Sequence, residues 1–293
     1  MKKLIPLLLL TACAAPTLPE LPSFGISSWQ EEKPGTKQAE INHAWWKEFG
    51  DATLNQLVEK AQKQSPDIKI AMAHIEAARA STEGTVADQM PLFSASANAG
   101  RDKRSQTLTS RPITSRYSNN FSAGFDASWE FNPANYEPAL RAAEANEITQ
   151  EEAYKNVLVT LAGDVAREYF EIHKLQEQIK VAEGNITAQK DVVGLTNSLV
   201  EAGKVSGSDK ADAETLLAKT LADITPLKQQ ISESTYRLEV LLGEKPGALK
   251  ELLAAPTGNL SDKDYALASP ASVLAERPDI KAAEEQVKYA AAL

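Results

Sequence analysis

The stretch FSAGFDASWEF, residues 121–131, decides how the rest of the chain is read. Its odd positions hold Phe121, Ala123, Phe125, Ala127, Trp129 and Phe131; its even positions hold Ser122, Gly124, Asp126, Ser128 and Glu130. Strand side chains alternate between two faces, so the pattern predicts a strand with one apolar and one polar side. A similar run precedes it. In LFSASANAG (92–100), Phe93, Ala95, Ala97 and Ala99 alternate with Ser94, Ser96, Asn98 and Gly100. The polar, basic stretch RDKRSQTLTSRPITSRYSNN joins the two, which predicts a hairpin with a long loop. Each segment is about 9–11 residues, the length a tilted strand needs to cross a bilayer. An ordinary surface strand can show the same alternation. The aromatic face, the polar opposite face and the long loop together favour a membrane barrel.

The hairpin sits among helical patterns. Leu54, Leu57, Val58 and Ala61 recur at helical spacing behind a cluster of Trp45, Trp46 and Phe49, which reads as a packing staple. Ser65-Pro66 then starts a helix towards Asp88, with Ser65 as N-cap and Pro66 at its first position. Beyond the hairpin, a 3-4 spacing runs through Leu158, Leu161, Val165, Glu168, Ile172, Leu175, Ile179, Ala182, Ile186, Gln189, Val193, Thr196 and Val200, the seam of a coiled coil. That helix, expected from about Tyr136 to Val200, would be roughly 98 Å long at 1.5 Å per residue. Gly203 and Gly207 break it. Asp209 opens a second helix on Ala213, Leu217, Ile224, Leu227, Ile231, Leu238 and Leu241, with a kink expected at Pro226 and an end at Gly243. Placed end to end, this helix and the one at Pro66 span about 90 Å and match the long one. The arithmetic describes a wall of paired helices.

The opening MKKLIPLLLLTACAAP has a basic n-region, a short apolar core and small residues, as a secretory signal does. The single cysteine, Cys13, follows Leu-Thr-Ala and resembles the lipidated first residue of a bacterial lipoprotein. The alternative is a plain signal with an incidental thiol. Ala14, rather than Asp, favours the outer membrane in lipoproteins. Several acyl chains on one residue give a stable anchor, because each buried CH₂ contributes about 0.8 kcal/mol. A net charge of −9 argues against nucleic-acid binding. His43, His74 and His173 are scattered without metal-ligand spacing, and neither a phosphate loop nor a nucleophile elbow occurs. No enzyme activity and no cofactor are expected.

The chain also repeats itself. PDIKIAMAHIEAARA at 66–80 aligns with PDIKAAEEQVKYAAA at 278–292, seven of fifteen positions being identical, which implies a duplicated architecture.

With these features in place, the chain resembles the TolC-like outer-membrane efflux factors, in the NodT-like lipoprotein branch that partners resistance-nodulation-division pumps. The resemblance rests on four stretches in order: Ala44-Trp45-Trp46 with Phe49-Gly50-Asp51; Phe125-Asp126-Ala127-Ser128-Trp129-Glu130-Phe131; Glu201-Ala202-Gly203 with Ser206 and Asp209; and Ala275-Glu276-Arg277-Pro278-Asp279-Ile280. It implies a mainly α fold with a membrane β-hairpin. In a homotrimer, the long helices would form a periplasmic α-barrel and the strands part of an outer-membrane β-barrel. Phe121, Phe125, Trp129 and Phe131 would face lipid, and Ser122, Asp126, Ser128 and Glu130 a wet lumen. Val200, Gly203, Lys204, Ser206 and Asp209 would form the tip that meets a periplasmic adaptor. The implied function is passive conduction in a tripartite efflux system.

Three departures accompany the resemblance. The corner after the second strand reads Asn132-Pro133-Ala134-Asn135-Tyr136 rather than a short hydrophobic-glycine turn. Leu199, Val200 and Lys204 surround Gly203 where the family has an aromatic or Arg before and Leu after. A second strand pair is absent.

The expected organisation is a signal peptide (1–12), a lipid-anchored tether (13–40), N-terminal helices (41–90), the barrel hairpin (91–131), the long α-hairpin (132–243), a linker (244–268) and the start of a second repeat (269–293), with the second repeat truncated. A periplasmic adaptor or coiled-coil scaffold lipoprotein is the competing class, although adaptors flank their hairpin with compact β-rich domains. A truncated channel fragment without function is a third reading.

Overall fold

The computed structural model describes residues 25, 28–30, 40–105, 117–130, 132–254 and 268–293. Cys13, Phe131 and residues 255–267 of the expected linker lie outside the described residues, as does most of the expected tether. The described residues fall into two compact units, one drawn from residues 20–75 and 149–284, the other from residues 76–148 and 285–293. Among the described residues the fold is mainly helical with one two-stranded antiparallel sheet, as the sequence predicts.

In the first of these units, a 3-10 turn at Trp45–Phe49 ends on Gly50, whose φ of 68° suits a residue without Cβ. The next residue, Asp51, caps α1 (Ala52–Gln64). Its Oδ1 accepts the amides of Thr53 (2.8 Å) and Leu54 (3.0 Å). Its other oxygen, Oδ2, accepts the hydroxyl of Tyr169 at 2.6 Å, tying the start of α1 to the middle of α3 (Pro133–Glu201). Tyr169 packs edge-on against His173, whose imidazole is pushed below its ordinary value of 6.5 by burial, with the Asp51 and Glu177 carboxylates pulling the other way. Trp45 meets Trp46 and Phe49 edge-to-face, and Phe49 meets Phe170, so the staple is realised. Leu54, Leu57 and Val58 of α1, Val165 and Ile172 of α3, and Leu238 and Leu242 of α4 (Gly207–Leu242) make the core. Each Leu, Ile or Val so enclosed contributes about 1.5–3 kcal/mol.

The predicted seam of α3 is buried or half-buried at every position from Leu158 to Val200. Its most enclosed polar member, Glu168, is 7 % exposed and accepts Nε of Arg237, on α4, at 3.0 Å. The matching stripe of α4 is likewise covered. α4 continues through Pro226, which lies on its exposed side between half-buried Ile224 and Leu227. The lost backbone bond is therefore borne where packing does not depend on it. α4 ends at Gly243, with φ 67° and the amide of Glu244 bonded back to the Glu239 carbonyl at 2.8 Å. A Cβ here would lie 3.0 Å from the Gln64 carbonyl oxygen and 3.2 Å from Pro66 Cδ, so glycine also lets α4 meet the joint that follows α1. Past that turn, the buried carboxylate of Glu239 accepts the Leu249 amide at 3.1 Å.

That joint recurs. α1 stops at Ser65 (ψ 135°) and α2 (Pro66–Ala87) begins on the next residue; α5 (Pro270–Glu276) stops at Arg277 (ψ 121°) and α6 (Pro278–Ala292) begins on the next. A residue before proline is driven out of the helical region, so each Pro-Asp-Ile-Lys copy breaks one helix and starts another. The repeat is thus one of structure as well as of sequence.

In the other unit, α2 runs past Gly84 to Ala87, and Arg79 bonds Glu147 of α3 at 3.0 Å. The sheet pairs β1 (Leu92–Lys103) with β2 (Tyr117–Ser128). β2 starts four residues earlier and stops sooner than the 121–131 alternation indicates. α3 starts at Pro133, its first turn bonding the Asn132 carbonyl, so the corner that departs from the resemblance is a helix start with proline in the first position. Pro138 sits within its second turn.

Candidate functional site

The first candidate site is the hairpin. Opposed residues of an antiparallel pair share a face, and the register sorts the two faces cleanly. Phe93 opposes Ala127, Ala95 opposes Phe125, Ala97 opposes Ala123, and Ala99 opposes Phe121. On the other face Ser94 opposes Asp126, Ser96 opposes Gly124, and Asn98 opposes Ser122. Slippage by one residue would mix the faces, so the pattern that predicts the strands also fixes their pairing. Ser128 opposes Leu92, which places one apolar side chain at that end of the polar face. Trp129 and Glu130 follow the last strand residue rather than lying within it, and Trp129 Nε1 donates to the Gln89 carbonyl at 2.9 Å. The apolar face is covered by nothing among the described residues: Phe93 is 77 %, Phe121 76 % and Phe125 91 % exposed.

The earlier start of β2 adds a group that the 121–131 reading omits. Ladder partners Arg101 and Asn119, and Lys103 and Tyr117, extend the apolar face toward the loop. The Arg101 guanidinium lies 4.7 Å from the centre of the Tyr117 ring and the Lys103 ammonium 5.8 Å from it. No hydropathy signal marks this extension, because polar Asn119 interrupts the apolar alternation between Phe121 and Tyr117. The apolar content stops at Phe121 while the backbone ladder does not.

The second candidate is the turn between α3 and α4. Gly203 has φ 68°; its amide bonds the Val200 carbonyl at 2.9 Å, and the Lys204 amide bonds Leu199 at 2.9 Å, the two closing bonds of a Schellman turn. Ser206 and Asp209 then form a reciprocal capping box: the Ser206 amide and hydroxyl each donate to Asp209 Oδ2 at 2.8 Å, and the Asp209 amide donates back to Ser206 Oγ at 3.3 Å. These bonds hold the Asp209 carboxyl below its ordinary value of 3.8. Val200 is half-buried, while Gly203, Lys204, Ser206 and Asp209 are exposed. The turn's backbone is closed by these hydrogen bonds, while the side chains of Lys204, Ser206 and Asp209 are open to solvent.

Among the described residues no helix is long and apolar enough to cross a membrane, and no cluster of His, Cys, Asp and Glu could hold a metal ion.

Comparison with known proteins agrees with this geometry. A family model described as outer membrane efflux protein matches residues 57–244. The pyoverdine export outer membrane protein OpmQ of Pseudomonas aeruginosa is 30 % identical over 295 residues, covering 97 % of this chain and 61 % of OpmQ. Nodulation protein T of Rhizobium leguminosarum bv. trifolii is 29 % identical over 250 residues, 83 % of this chain and 52 % of that one. Among solved structures, the outer-membrane channel OprN superposes with a TM-score of 0.78 at 27 % identity, over 94 % of this chain and 62 % of OprN. The Campylobacter jejuni CmeC outer membrane channel shares the fold, with a TM-score of 0.79 at 21 % identity over 95 % of this chain and 60 % of CmeC. The chain thus spans about three-fifths of the length of OpmQ and of these channels. By its matched residues, hairpin and helical pair, it belongs to the outer membrane efflux protein family.

Proposed function

We propose that this chain supplies the wall of an outer-membrane efflux conduit, a homotrimer that passively passes substrates out from a periplasmic adaptor and a resistance-nodulation-division pump. The observation that carries the reading is the hairpin register. It gives a continuous apolar face, whose Phe93, Phe121 and Phe125 are exposed among the described residues, back to back with a face of Ser, Asn, Gly and Asp. Such a two-sided strand pair is stable where lipid wets one side and water the other. Closure with further strands satisfies the open edges, since lipid offers backbone groups no partner.

Within this reading the organisation follows the segments expected from the sequence. The signal (1–12) is removed, Cys13 is lipidated, and residues 13–40 tether the body, residues 41–90 forming its first helices. Residues 91–131 enter the barrel, 132–243 form the periplasmic α-hairpin, and 244–268 link it to the second repeat at 269–293. Phe121, Phe125, Trp129 and Phe131 face lipid; Ser122, Asp126, Ser128 and Glu130 line the lumen. The turn at Val200, Gly203, Lys204, Ser206 and Asp209 presents the adaptor contact, a surface pre-ordered by its own caps. No catalytic step is involved, because the pump supplies the driving force.

The test is conductance of the full-length product in planar bilayers, together with thiol labelling of Phe125→Cys and Asp126→Cys. A stable pore, with the cysteine at 126 reacting with a charged water-soluble reagent and that at 125 shielded, is expected. No conductance, or the reverse labelling, overturns the proposal.

A further inference from the structure

We propose that Arg101 and Lys103, held over the Tyr117 ring, form a binding site for the phosphate of a lipid headgroup at the loop end of the hairpin's lipid-facing side. The inference rests on the membrane reading above and deepens it. Three observations converge. The register sets Arg101, Lys103 and Tyr117 on the apolar face, in line with Phe93, Phe121 and Phe125, while Asp102 falls on the polar face. Neither Arg101 nor Lys103 makes an ion pair among the described residues; both instead lie over Tyr117, at 4.7 and 5.8 Å. The sequence from 103 to 125 contains no acidic residue but adds Arg104, Arg111 and Arg116, so the loop holds no carboxylate for these cations.

Depth gives the site its occupant. Tyr117 lies twelve residues from Trp129. At 3.4 Å per residue and a tilt of about 40°, that is roughly 31 Å along the membrane normal. The apolar band between aromatic girdles is about 25 Å tall, so Trp129 at one limit leaves Tyr117 and its cations at headgroup level on the other side. Cations there face neither hydrocarbon nor open water but the anionic groups of lipid. The ring keeps both cations oriented, and the guanidinium offers a planar fork to phosphate oxygens.

Native mass spectrometry of the full-length protein, released from mixed micelles containing phosphatidic acid or phosphatidylcholine, tests this against the Arg101→Gln/Lys103→Gln double variant. The wild type should retain phosphatidic acid preferentially, by about fivefold for each basic side chain, and the double variant should lose that preference. Inorganic phosphate at matched ionic strength should neither form an adduct nor displace the lipid. Equal retention by the two proteins overturns the site. Adducts of inorganic phosphate alone also overturn it, as they would mark a free-anion site. Cations that pair with a neighbouring strand would make the variant less stable in both micelles with no change in lipid preference, again overturning it. The membrane reading is read out separately, through the tryptophan quenching by lipids brominated in the acyl chain that disappears in Trp129→Phe. Such quenching without headgroup preference removes this site alone; its absence removes both.

Discussion

Adjacent residues at the middle of β2 should respond oppositely to the same substitution. Ala123 opposes Ala97 on the apolar face; Ser122 opposes Asn98 on the polar face. Ala123 stands midway between Trp129 and Tyr117, so it lies about 15 Å from either girdle at 3.4 Å per residue and a tilt near 40°. An arginine at that depth on a lipid-facing position costs roughly 2–4 kcal/mol, whereas one on the lumen side costs about nothing. Ala123→Arg should therefore lower the equilibrium constant for membrane folding by roughly 30-fold or more per protomer, at about 1.4 kcal/mol per tenfold. Ser122→Arg should leave it nearly unchanged and alter ion selectivity instead. The assay is urea-dependent folding of the full-length protein into lipid vesicles, followed by heat-modifiable gel migration. Equal loss in both variants would show that neither face meets lipid. A greater loss for Ser122→Arg would invert the faces and refute the register argument.

Asp51→Ala removes the cap of α1, at about 1 kcal/mol, and the bond from the buried Tyr169 hydroxyl, at about 1–3 kcal/mol. Thermal melting should show a loss near 2–4 kcal/mol, with Asp51→Asn losing less because an amide oxygen still caps. Gly243→Ala should destabilise more than Gly203→Ala. Both adopt positive φ, which costs a residue with a Cβ about 1–2 kcal/mol, but only at 243 does the added Cβ meet Gln64 and Pro66, whereas space at 203 is open. The Asp209 carboxyl, held low by Ser206, stabilises the start of α4 in full at pH values above its ordinary 3.8 and loses that effect as pH falls through its lower folded value. Amide hydrogen exchange at residues 207–210 should rise in that acidic window in the wild type and show no such step in Asp209→Asn.

The helical seam and the strand faces were legible in the sequence because each follows from a period. Leu161, Val165, Ile172 and Leu175 are buried at the spacing read from them, and Phe121 and Phe125 share the face their alternation assigns. Ends were less legible. β2 reaches back to Tyr117 because backbone pairing across Gly100–Lys103 needs no apolar side chain, so hydropathy gave no sign of it. The corner at Asn132 and Pro133 looked irregular, yet proline at a first helical position costs no backbone bond. Long-range polar ties were invisible. Asp51 and Tyr169 are 118 residues apart, Glu168 and Arg237 69 apart, and no local pattern marks a partner at such separation. The basic pair over Tyr117 lay between these cases, visible only once the strand was known to extend that far.

The polar face of the hairpin is built from short side chains, with Ser94, Ser96, Asn98, Ser122, Gly124 and Asp126 set in opposed pairs. None can reach far into a bore, and none presents an aromatic plate or a long arm with which to grip a passing molecule. In the proposed conduit this stretch works as a drainpipe rather than a sieve. On that reading this stretch does not choose the cargo, so exchanging this hairpin between relatives should leave the range of exported compounds unaltered.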